Sequence, residues 1–289
     1  MNNLPNSSES NRATAPGDLD SKFLSRFSDT DALFVRPTLA TKESKAPSIA
    51  LERFQQLEQS IRNTPASPEP YIELGQIYIQ QNRHSDARRV LDAGYSTCSE
   101  YEPLLVLRED LILYQANQMV EQARTAHAQI RDDENKYALE QAEINYANER
   151  IRVCRDRFNR HPDQHEILVN WAIGLRQLAR FDEAIDLLTK AAARPELRSR
   201  ASLQLGMCFQ TLHRPLEALA AFRKAALFRE PAPEPKIRQR ALELALDLAE
   251  EFKLIDSAKF YAEQLLIDCD KSKRPPLVTR LEKLRSQSL

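Results

Sequence analysis

The side chains able to do chemistry are few and scattered. His161 and His165 stand four apart, a spacing two metal ligands use on one helix face, but Pro162 lies between them and no nearby carboxylate or thiol completes a site with obvious geometry. The pair reads as a loop-to-helix junction. Cys98, Cys154, Cys208 and Cys269 are far apart and never form a CxxC, so they read as reduced core thiols rather than a zinc knuckle or a redox pair. Cys208, between Gly206 and Phe209, suits helix packing better than nucleophilic attack. His84, His127 and His213 are isolated. No glycine-rich phosphate loop, GxSxG, HExxH or dinucleotide fingerprint occurs. The expectation is a chain with no catalytic residues, no metal and no cofactor: not an enzyme.

The elements that carry these residues are helical. Only 5 glycines occur in 289 residues, and 42% of the chain is hydrophobic, rich in Ala and Leu with few β-branched runs. Lys+Arg 41 against Asp+Glu 42 leaves a net charge of -1, so no basic field favours nucleic acid or an anionic membrane as partner. The first ten residues are polar and lack the basic start and apolar stretch of a secretory signal, and no apolar run is long enough to span a bilayer. A cytoplasmic location is the expectation. Residues 1–45, rich in Asn, Ser, Thr, Asp and Pro, bury too little apolar surface to offset their ordering entropy and read as a disordered tail. Two apolar islands interrupt it, Phe23, Leu24 and Phe27, then Leu33, Phe34 and Val35, either of which suits a short docking motif.

From 46 to 289 a repeat emerges. Asp182-Glu-Ala184-Ile-Asp-Leu-Leu188 recurs after 34 residues as Leu216-Glu-Ala218-Leu-Ala-Ala-Phe222. Related copies stand at Ser85-Asp-Ala87 through Leu91 and, more loosely, at Asp256-Ser-Ala258 through Ala262. Each follows another amphipathic helix, marked by Tyr71, Leu74, Gly75 and Tyr78 in the first case, and by Leu205, Gly206 and Phe209 in the third. Gly75, Ala172 and Gly206 let two helices approach, while Ala87, Ala184, Ala218 and Ala258 admit a neighbour's bulky side chain. Ser85, Asp182 and Asp256 are expected to cap the second helix of each pair, and Asp163-x-x-Glu166 has the form of a capping box.

This aromatic-x2-Leu-Gly-x2-Tyr then Ala-x3-Phe pattern resembles the tetratricopeptide repeat superfamily. The clear units are 68–101, 165–198, 199–232 and 239–272, with a degenerate stretch from 102 to 164 and a capping helix in 275–289. The resemblance implies an all-α, right-handed superhelical solenoid of antiparallel helix hairpins. The degenerate stretch is close to two repeat lengths and is expected to form degenerate hairpins. Its second half carries Tyr137, Ile144, Ala147, Ile151, Cys154 and Phe158 on one stripe of a long helix, which packs within the chain or, alternatively, forms a homodimer seam over 137–158.

The resemblance also places function in the concave groove. Carried over by register, the groove face includes Ile72 and Gln76, then Val169, Ile173 and Arg176, then Arg200, Leu203, Met207 and Gln210, and finally Arg240, Glu243 and Asp247. It lacks the Lys, Asn and Arg clamp with which some members hold a terminal carboxylate. Apolar anchors edged by mixed charge suit an extended or helical peptide, so the expected role is a non-catalytic scaffold or adaptor for a protein partner. Two other readings stand beside it: a self-associating or autoinhibited regulator using the tail as docking motif, and an RNA-binding helical repeat, which a partly aliphatic and acidic groove suits poorly.

Overall fold

The computed structural model describes residues 51–228, 230–268 and 274–286. The proposed tail, its two apolar islands and Cys269 lie outside the described residues. Within them the chain forms twelve α-helices and one short 3-10 turn, with no strand. In order these are α1 (Leu51–Asn63), α2 (Glu69–Gln80), α3 (His84–Thr97), α4 (Glu102–Gln129), α5 (Asp133–Arg160) and α6 (Glu166–Gln177), followed by α7 (Phe181–Ala192), α8 (Arg198–Thr211), α9 (Pro215–Leu227), α10 (Pro235–Glu251), α11 (Ile255–Asp268) and α12 (Arg274–Ser286).

Each helix packs on the next, and a second set of contacts skips one helix: α2 meets α4, α6 meets α8, and α8 meets α10. The even helices therefore lie closer together than the odd ones, which puts α2, α4, α6, α8 and α10 on the inner side of a curving two-layer array. This is an all-α solenoid of antiparallel hairpins of tetratricopeptide type.

Small residues set the hairpin spacing. A Cβ on Gly75 would stand 2.8 Å from Leu91 Cδ2, and one on Gly206 would stand 2.4 Å from the Phe222 ring. Ala87, Ala184, Ala218 and Ala258 are fully enclosed. Four inner helices also end alike. Asn82, Ala179, His213 and Lys253, the residues closing α2, α6, α8 and α10, have φ near +60° (60, 59, 55 and 55). In each case the following amide returns to a carbonyl five residues back, as in Arg180 N to Leu175 O at 2.9 Å and Arg214 N to Phe209 O at 2.9 Å.

The helix starts differ from the capping expectation. Arg83, Arg180 and Arg214 occupy the cap positions of α3, α7 and α9 without a side-chain cap. Ser85 and Asp182 fall one turn inside. The arginines instead clasp an acid of the first turn, Arg83 Nε to Asp86 Oδ2 at 2.9 Å and Arg180 Nε to Glu183 Oε1 at 2.7 Å. The Asp163–Glu166 box is likewise not formed, since His165 precedes α6 and makes no side-chain cap. Asp132 does cap α5, accepting from Asn135 N at 2.8 Å.

The stretch from 102 to 164 is one long hairpin rather than the two expected. After Pro103 no Gly or Pro interrupts the chain until Pro162, so α4 and α5 each run 28 residues, twice the length of α8. At 1.5 Å per residue each spans roughly 42 Å, and the pair projects beyond the array. The core divides accordingly. One cluster runs from Leu168 to Leu284, a second from Leu57 to Leu111, and a small third holds Ala116, Val120, Leu139 and Tyr146 within the long hairpin.

Candidate functional site

The candidate residues all lie on inner helices, but the structure gives them two different settings. Ile72, Arg200, Gln210, Arg240 and Glu243 are half-buried, and Gln76 and Asp247 are exposed. Val169, Ile173, Leu203 and Met207 are instead part of the main core cluster, and Arg176 is 2% exposed. Those five do not line an open surface. Register alone marks them as inward-facing; burial depends on what lies over them in space.

A buried polar seam runs behind this floor. Arg150 of α5 donates from Nη2 to Tyr146 Oη at 2.6 Å and from Nη1 to Gln177 Oε1 at 3.4 Å. Arg176 Nε donates to Gln204 Oε1 at 3.1 Å. Arg150, Gln177, Gln204 and Ser202 are all buried. Sequence reasoning missed Arg150 and Gln204, whose only signal was a polar residue breaking an otherwise apolar helix face.

At the far end, Arg240, Glu243 and Asp247 of α10 open onto a cleft of about 360 Å³ shared with Leu265 of α11 and with Pro276, Leu277 and Arg280 of α12. Arg280 closes one side, with Nη2 to Asp247 Oδ1 at 2.7 Å and Nε to Glu250 Oε1 at 2.6 Å. Both carboxylates and the half-apolar floor leave a slot with acid, base and aliphatic walls.

Reactive groups are enclosed or engaged. Burial pushes the Cys154 thiol up to about 11, which keeps it protonated at neutral pH. His161 Nε2 lies 3.1 Å from Glu102 Oε1, and His165 Nδ1 lies 2.7 Å from the Asp163 carbonyl oxygen, so the two imidazoles are committed to separate partners. Among the described residues no group of three or more His, Cys, Asp or Glu is arranged to hold a metal, and no helix is long and apolar enough to cross a membrane.

The stripe on α5 is used within the chain. Ile151 lies against Gly174 of α6, the Phe158 and Trp171 rings are 6.3 Å apart, and Ala147 and Cys154 are buried. Only Tyr137, 64% exposed near the hairpin tip, stands clear.

No family model matches the chain, and no curated protein matches it in sequence. Among solved structures it is similar to YrrB, described as a TPR protein with an unusual peptide-binding site, at 13% identity and TM-score 0.46, covering 80% of this chain and 99% of that one. It is also similar to a tetratricopeptide repeat protein from Parabacteroides merdae, at 13% identity and TM-score 0.38, covering 92% and 99%. Similarity to the Cut9-Hcn1 tetramer of APC/C stands at 12% identity and TM-score 0.39, covering 93% of this chain and 49% of that one.

Proposed function

We propose that the chain is a non-catalytic adaptor that holds a peptide segment of a protein partner along its inner face. The observation that carries this reading is the alternation there of apolar floor and charged rim over three successive hairpins. Val169, Ile173, Leu203 and Met207 form the floor, and Arg200, Arg240, Glu243 and Asp247 the rim. Apolar side chains of a ligand find pockets between inner helices, while rim charges set its register and exclude mismatched sequences.

The rim changes sign along the array, from Arg200 on α8 to Glu243 and Asp247 on α10. A matching ligand is acidic near its anchor over α6 and α8 and basic toward α10. Selection of peptides from a random library on the full-length protein tests this. The expected winners carry spaced apolar residues with acids between them and a basic end. Enrichment of uniformly basic or featureless sequences would sink the proposal.

A further inference from the structure

The inner face is not equally open along its length. On α2, Gln76 is exposed and Ile72 half-buried, and on α10 Asp247 is exposed with Arg240 and Glu243 half-buried. The same register positions on α6 and α8 are closed: Ile173 is 1% exposed, Leu203 0% and Met207 7%. Flanking helices do not account for the difference. α6 packs on α5, α7 and α8, and α10 packs on α8, α9 and α11, so each has three substantial neighbours of the same kind. Eight of the twelve residues of α6 are nevertheless buried, including both its arginine and its glutamine at 176 and 177.

From this contrast we propose that the chain's own N-terminal segment, residues 18–36, lies across the inner face at α6 and α8 and fills the groove in cis. This rests on the reading of the inner face as the peptide-binding surface and names its resident ligand. The segment has the composition the groove asks for. Phe23 and Phe27 precede Asp29 and Asp31, and Leu33 and Phe34 follow. Apolar anchors thus flank a pair of carboxylates, as the aliphatic floor flanks Arg176 and Arg200. A guanidinium taken out of water is stable only with acceptors close by, and the segment brings two carboxylates to the place where Arg176 and Arg200 sit. Lys22 and Arg26 give the segment a basic start to set against the acids of α10.

The tether is long enough. Residues 37–50 separate the segment from α1, and 14 extended residues reach roughly 45–50 Å. Three steps of the inner layer, from α2 to α8, measure about 24–30 Å at the usual interaxial distance. A partner's segment therefore gains the groove by displacing residues 18–36, and its apparent affinity is lowered by the effective concentration of the tethered competitor.

Methionine-methyl NMR on the full-length protein tests this, because Met207 lies on the floor of the groove and Met119, 56% exposed on α4, serves as an internal control. In the Phe27→Asp, Phe34→Asp variant the Met207 signal is expected to move while Met119 stays. A synthetic peptide of residues 18–36 then returns Met207 to its original position, at a concentration at least ~100-fold below that needed with the wild type. An unmoved Met207 in the variant overturns the inference. If both signals move, the substitutions have disturbed the fold, and Asp29→Lys, Asp31→Lys decides by the same readout: movement of Met207 alone supports cis docking, and no movement overturns it. A library-selected peptide that shifts Met207 in a protein whose tail variants do not would remove the cis occupant and leave the binding surface standing.

Discussion

The long α4/α5 hairpin and the α6–α12 array are built from the same helical material and held together by different physics. In the array, shape dominates: Phe222 fills the space left by Gly206, alanines admit neighbours, and one apolar cluster runs unbroken through seven helices. In the long hairpin the apolar cluster is small, and the helices are joined by charge. Glu109 of α4, 5% exposed, receives Arg157 Nε at 2.7 Å and Arg160 Nη2 at 2.9 Å, while Arg157 Nη2 also reaches Asp110 at 2.7 Å. Nearer the tip, Glu143 is buried with Arg124 Nη2 at 3.3 Å. The lesson is that the repeat signature marks where backbones must approach. Where the signature lapses, the helices run on, and polar pairs take over their alignment.

The sharpest way to break the comparison is to remove one large side chain on each side of it. Phe222→Ala is expected to cost about 3–5 kcal/mol and to melt the array as a unit, and Leu139→Ala about 2–3 kcal/mol confined to the long hairpin. Urea unfolding followed by circular dichroism, with hydrogen exchange to locate the loss, measures both. Equal global effects would mean that the two regions form a single cooperative core.

Charge comes next. Glu109→Gln is expected to lower stability by about 2 kcal/mol, because Arg157 and Arg160 remain half-buried without their carboxylate. A matched loss from Glu183→Gln, an exposed acid clasped by Arg180, would contradict the distinction; its expected effect is within about 0.5 kcal/mol.

Glu143 sharpens the comparison through pH. Burial raises its carboxyl to about 7, against the opposing pull of Arg124 and with the support of Glu140 and Glu121. Its protonated form is favoured by folding, so its contribution is full below about 4.5 and is lost as pH rises through about 7. Glu143→Gln is therefore expected to stabilise the hairpin by about 1 kcal/mol at pH 8, allowing for solvent screening, and by nothing at pH 4. Thermal melts at the two pH values check it; an equal gain at both would refute the assignment.

The smallest effect belongs to the array. Ala179 holds φ at 59°, a conformation that glycine adopts without cost, so Ala179→Gly is expected to add about 0.5–1 kcal/mol. No such gain is expected at Ile130, which ends α4 with extended backbone.

Much of this fold was legible beforehand because its signals are steric and local. Gly75, Gly206 and the recurring alanines announce close helix approach, and the apolar spacing of 137–158 announces a long helix. The left-handed turns were not legible, because Ala179, His213 and Lys253 stand where glycine would advertise the stop. The caps were misplaced because Arg83 and Arg180 occupy those positions and satisfy acids rather than amides. On the binding face, register identified which side chains point inward, but the closing of Ile173 and Met207 against the openness of Asp247 arises from the third dimension and left no mark in helical spacing.

The central claim is that the inner face is the binding surface. Its most direct test is the affinity of a selected peptide for the full-length protein carrying Arg200→Glu and Arg240→Glu, against Arg89→Glu on the outer helix α3, whose side chain is 74% exposed. The account predicts a loss of at least ~10-fold for the inner pair, about 1.4 kcal/mol, and none for the outer change. Equal affinity for all three proteins would place binding elsewhere and contradict it.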